Sequence, residues 1–135
     1  MTDALQPVFG IEKVYIKDCS LEIPHAPEIF LSREEPKMEL SIVTAHSSIN
    51  PDYYEVTVRA TVTATQASEN KTVFVVEATQ AGTFLIQNMP ADDLEIILNV
   101  AAPNILFPYL RHTISILTSG GGFPALNLAP YNFEA

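Results

Sequence analysis

YEVTVRATVTAT, residues 54–65, decides the class of fold. Tyr54, Val56, Val58, Ala60, Val62 and Ala64 alternate with Glu55, Thr57, Arg59, Thr61, Thr63 and Thr65. Successive strand side chains point to opposite faces, so one face here is apolar and the other is threonine and charge. This is the pattern of an antiparallel sheet with one packed side and one wet side. Upstream, Met38, Leu40 and Ile42 alternate with Lys37, Glu39 and Ser41, a second half-buried strand, and Asn50, Pro51 and Asp52 supply turn chemistry between the two. Downstream, a polar turn at 68–70 leads into a strand over 72–79 that continues through Phe84 and Ile86, with Gly82 read as a bulge or bend. Residues 8–17 carry the β-formers Ile11, Val14, Tyr15 and Ile16 with imperfect alternation. SLEIPHAPEIF (20–30) reads as an extended connection, because Pro24 and Pro27 remove ladder donors; it leaves Ile23, Ile29 and Phe30 free to pack. Four consecutive strands joined by short turns predict a meander.

After Pro90 the period changes. Leu94, Ile97, Leu98 and Ala101 form a helical stripe, with Asp92 and Asp93 at the positive end of the helix dipole. Pro103 is expected to separate this helix from the next, which begins near Asn104 so that Pro108 falls in its first turn. Phe107, Leu110, Ile114 and Leu117 make its apolar stripe, and His112, Ser115 and Ser119 a narrow polar one near Tyr109. Gly120, Gly121 and Gly122 stop the helix. The tail FPALNLAPYNF (123–133) has too much proline for a central strand, yet its Phe, Leu and Tyr side chains must lie against something apolar. Strands first and helices after predict an α+β protein: a four-stranded antiparallel sheet with a helical layer packed on one face. Residues 1–135 read as a single domain, with 1–7 as a polar, poorly ordered arm.

Composition excludes several classes. At 47% hydrophobic the chain is globular rather than disordered. Seven basic against sixteen acidic residues give a formal charge of −9, which repels nucleic acid and anionic membranes and leaves solubility or a basic partner as its meaning. A single cysteine, Cys19, forms no internal disulfide, and the N-terminus has no signal-peptide pattern. No apolar run approaches a bilayer span, so a cytoplasmic location without membrane insertion is the simplest expectation. His25, His46 and His112 are not spaced as metal ligands, and Ser119 before the glycines lacks the lysine of a phosphate loop. No nucleophile elbow exists, and Asp18 beside Cys19 discourages a thiolate. Neither an enzyme nor a cofactor is expected.

Four blocks carry a resemblance. PNILFPY (103–109), GFPALNLAPYNF (122–133), IEKVYIKDCSLEIPHAP (11–27) and YEVTVRATVTA (54–64) are similar, in order, to the protein-export chaperones of the SecB family. The likeness covers nearly the whole chain from Ile11 onward. It implies a homotetramer, a dimer of dimers, whose helices are sandwiched between sheets and meet at Tyr109, His112, Ser115 and Ser119. It implies that Asp18, Glu22, Val75 and Glu77 form an acidic patch on the flat face of the sheet for the motor ATPase SecA; the residues alone read only as a wet face. It also implies that part of the set Met38, Leu40, Ile42, Phe74, Phe123, Leu126, Leu128 and Phe133 lines a surface groove for unfolded preproteins, held in the cytosol without nucleotide. Family members continue into a further helix and an acidic tail, whereas this sequence stops at Ala135, either as a portion of a longer chain or as a short member. Two other readings are a chaperone of a toxin–antitoxin pair and a small apolar-ligand binder. A closed cavity favours the last, an open channel the chaperone.

Overall fold

The computed structural model describes residues 5–135; most of the expected N-terminal arm lies outside them. The strands are β1 (Val8–Glu22), β2 (Lys37–Ser48), β3 (Tyr53–Gln66) and β4 (Lys71–Gln87). All neighbouring pairs are antiparallel, in the order β1-β4-β3-β2. The sheet is therefore not a simple meander. β2, β3 and β4 follow one another as hairpins, but β1 lies beside β4, and residues 23–36 carry the chain from that edge to β2 at the other. This is the Greek-key order, with one long return.

The irregular alternation of β1 has a physical cause. Its pairing with β4 skips at Glu12 and again at Lys17, and each extra residue reverses the side-chain phase. The strand also runs on to Glu22, taking the first residues that had read as connection. At Gly82 no bulge occurs; it pairs with Val14 on one side and Val56 on the other. A Cβ at Gly82 would lie 2.9 Å from Leu106 Cδ2 and 2.9 Å from Phe84 Cε2. Glycine is there because the helix sits down on the strand.

The helical layer is one continuous run. α1 (Ala91–Ile96) passes into a π turn (Ile97–Ala101) and then α2 (Ala102–Gly120). Pro103 therefore does not separate two helices. In the π turn the Ala102 amide donates to the carbonyl of Ile97, five residues back, so the ladder has already shifted where Pro103 has no amide to give. Pro108 consequently lies inside α2 rather than in a first turn. It is exposed there, as is Asn104, whose carbonyl loses its usual donor on the side that water reaches.

Leu106, Leu110 and Ile114 are fully buried against Val56, Val58, Ala60, Val76, Ala78 and Phe84. Each such side chain contributes about 1.5–3 kcal/mol of transfer free energy. The run lies across the sheet: its π turn touches β2, Leu106 sits on Gly82 of β4, and Gly121 reaches Leu21 of β1. It covers the two central strands and leaves apolar parts of both edge strands uncovered.

Candidate functional site

The register divides the sheet into two faces. Phe9, Ile11, Val14, Ile16, Cys19 and Leu21 of β1 share the helix side with Phe74, Val76, Ala78, Gln80, Phe84 and Ile86 of β4 and with Met38, Leu40 and Ile42 of β2. On the edges this side is open: Leu40 is 48% exposed, Met38 44%, Ile11 50% and Ile16 52%.

Beside β2 the opening deepens into a cleft of about 640 Å³. Its floor is Val73 and Phe74 of β4, one wall is the connection from Ile29 to Pro36, and the other is Gly122 to Leu126. A 3₁₀ turn, Glu28–Leu31, buries Ile29 and sends Phe30 over the tail. Phe30 and Phe74 flank Phe123, with ring centroids 5.3 and 4.7 Å from it. The connection is tied to the β3 end by hydrogen bonds from Gln66 to Ser32 and from Ser68 Oγ to Glu34 at 3.1 Å.

Of the residues expected to form a groove, Met38, Phe74, Phe123 and Leu126 meet in this cleft. Leu40 and partly buried Ile42 continue from Met38 along the same side of β2. Leu128 is buried in the core instead, and Phe133 packs on Phe107 with centroids 6.0 Å apart. Phe30, Pro36, Val73 and Pro124 join the lining without having been singled out for it. Only the apolar character of Ile29 and Phe30, stranded in a proline-rich connection, pointed there.

The opposite face gathers carboxylates at one end. Glu77 pairs with Ser20, which places it diagonal to both Asp18 and Glu22 on β1; Val75 pairs with Glu22 directly. Such diagonal neighbours stand about 7–8 Å apart. The four residues, expected from two segments far apart in sequence, thus lie side by side on β1 and β4, and Glu39 falls in the same row as Glu22 and Val75 through Thr63. Glu77 accepts a hydrogen bond of 2.9 Å from Thr61.

Farther along this face, Glu55 accepts hydrogen bonds from Lys17 Nζ at 2.7 Å and from the Tyr15 hydroxyl. Lys17, two residues beyond Tyr15, reaches the same carboxylate, and the second bulge turns Asp18 after it onto that face as well. Burial alone would raise the Glu55 carboxyl, but the hydrogen bonds of Lys17 and Tyr15 and the Lys17 charge hold it below its ordinary value. Burial, the Glu55 hydrogen bond and the Glu55 charge push Tyr15 up to about 12.

Tyr109, His112 and Ser119 are exposed along the outer side of α2 and Ser115 is half-buried, with Ile116 55% exposed among them. Arg111, His112, Ser115 and Asn127 border a shallow hollow there. Among the described residues no group of His, Cys, Asp and Glu is placed to hold a metal, and no helix is long and apolar enough to cross a membrane.

The sequence model described as preprotein translocase subunit SecB matches residues 2–135. The chain belongs to the SecB family. Curated SecB relatives named protein-export protein agree with it: that of Nitrosomonas eutropha is 55% identical over 130 residues, covering 96% of this chain and 81% of the relative. Those of Thiobacillus denitrificans and Neisseria meningitidis serogroup B are 50% and 49% identical over the whole chain, covering 88% and 91% of their own lengths. The fold is also that of a SecB-like chaperone of Mycobacterium tuberculosis, solved with a peptide from an antitoxin. It superposes with a TM-score of 0.74 at 15% identity, over 92% of this chain and 91% of that one. This SecB protein is therefore a chaperone of protein export that binds preproteins, on a fold that toxin–antitoxin chaperones share.

Proposed function

We propose that the chain works as a cytosolic holdase, assembled as a dimer of dimers, that keeps preproteins unfolded in its clefts and passes them to SecA. The open cleft beside β2 carries this reading. It is apolar, bounded by three aromatic rings and continuous with exposed Met38 and Leu40, so an extended client gains burial without needing a particular sequence. The edge backbone of β2 offers strand-type hydrogen bonds alongside. The patch of Asp18, Glu22, Val75 and Glu77 lies on the other face, so client and motor would be held at once without competing. The outer side of α2, with Tyr109, His112, Ser115 and Ser119, suits packing against helices of other copies.

Charge reversal tests the two faces separately. Replacing Asp18, Glu22 and Glu77 together by lysine should weaken SecA binding at least tenfold, equivalent to about 1.4 kcal/mol, while leaving retardation of preprotein refolding intact. Equal loss of both activities would contradict two separate sites.

A further inference from the structure

We infer that Thr118 is a positioning residue that sets the shape of the cleft's tail-side wall, an inference that rests on the cleft being the client site. Thr118 is fully buried near the end of α2 and touches no cleft solvent itself. Its hydroxyl donates to the carbonyl of Ile114 at 2.9 Å, an ordinary habit of helical threonine. The other half of its bonding is not ordinary. The same oxygen accepts the Leu126 amide at 2.9 Å, eight residues onward in the tail. The main-chain carbonyl of Thr118 accepts the Phe123 amide at 3.1 Å.

One residue thus pins both ends of the segment Phe123, Pro124, Ala125, Leu126, all four of which line the cleft. Pro124 has no amide to anchor the span between the pins. The arch starts from Gly122 at φ 89°, a conformation glycine alone adopts freely, and a Cβ there would stand 3.2 Å from the Phe30 ring. The wall is therefore held before a client arrives. A preset wall spares the ordering cost that a loose proline-rich tail would impose on binding. Without the hydroxyl, the partly buried Leu126 amide is left unpaired, and the wall swings away to reach water.

The test titrates a fluorescently labelled, reduced and alkylated α-lactalbumin against the wild-type chain, Thr118→Val, Thr118→Ser and Met38→Glu. Thr118→Val, of nearly equal volume but without the hydroxyl, is expected to bind about tenfold more weakly. Thr118→Ser is expected to return to within about twofold, and Met38→Glu to weaken binding through the rim. Unchanged binding in Thr118→Val beside weakened binding in Met38→Glu overturns the role of Thr118 and leaves the cleft as client site. Unchanged binding in both overturns the two together. Equal weakening in the valine and serine variants assigns the effect to packing and overturns the hydroxyl's role. Amide exchange in the wild-type chain gives a reading that no variant's folding can obscure. Leu126 should be protected, and exchange at the unstructured rate would contradict the pin.

Discussion

At Gly82 the helical layer comes down on β4 so closely that a Cβ would stand 2.9 Å from both Leu106 and the Phe84 ring. Gly82 looks like a strand irregularity because glycine weakens strands, but its neighbours reveal a contact across layers, which no one-dimensional period encodes. Gly82→Ala must displace Leu106 or the Phe84 ring and is expected to destabilise the fold by about 1–3 kcal/mol, read as a lowered denaturation midpoint with an unchanged m-value. Glu55 gives a pH signature. Its depressed carboxyl supplies stability that is complete above the ordinary glutamate range and fades as pH falls through it. Tyr15 acts at the other end: its raised phenol supplies stability present below about pH 10 and lost as pH climbs toward about 12. Since Lys17 is half exposed, the ion pair is worth no more than about 1 kcal/mol. Glu55→Gln should therefore lower Tm slightly at neutral pH, with the gap to wild type closing in acid. A gap that widens in acid would reverse the assigned sign.

Elements were legible where their period was undisturbed. β3 and the buried stripe of α2 follow from alternation and from three- and four-residue spacing, and the structure buries Val56, Val58, Leu110 and Ile114 as that reading requires. β1 was blurred by two bulges, which are set by pairing with β4 and leave only a broken alternation behind. The order of the strands was not legible at all, since the 23–36 connection says nothing local about which edge it came from. The prolines misled for a definite reason: Pro103 breaks an α ladder, but a π turn shifts the ladder before the proline is reached. Pro108 remains a local cost. An interior proline is worth about 3 kcal/mol against a helix, offset by roughly 0.4–1 kcal/mol from the stiffer unfolded chain. Pro108→Ala is expected to raise stability by about 2–3 kcal/mol in thermal unfolding; a fall would mean that the proline shapes the helix face rather than merely being tolerated.

At the scale of the whole molecule, the apolar side chains left outside sit uneasily in a solitary globule. Ile11 and Ile16 on one sheet edge, Met38 and Leu40 on the other, and Tyr109 and Ile116 on the helix all face outward. A net charge of −9 keeps such a surface soluble, and the acidic patch concentrates part of that charge on the face away from the helix. The pairing of acidic face and greasy cleft was readable only through family likeness, because the sequence separates Asp18 from Glu77 and Met38 from Phe123, and sheet register and tail folding bring them together. Native mass measurement with and without a reduced, alkylated polypeptide tests the account most directly. Four copies of the 14.8 kDa chain are expected, taking up the unfolded polypeptide and rejecting its folded form. A single copy that leaves the polypeptide free in solution would contradict it.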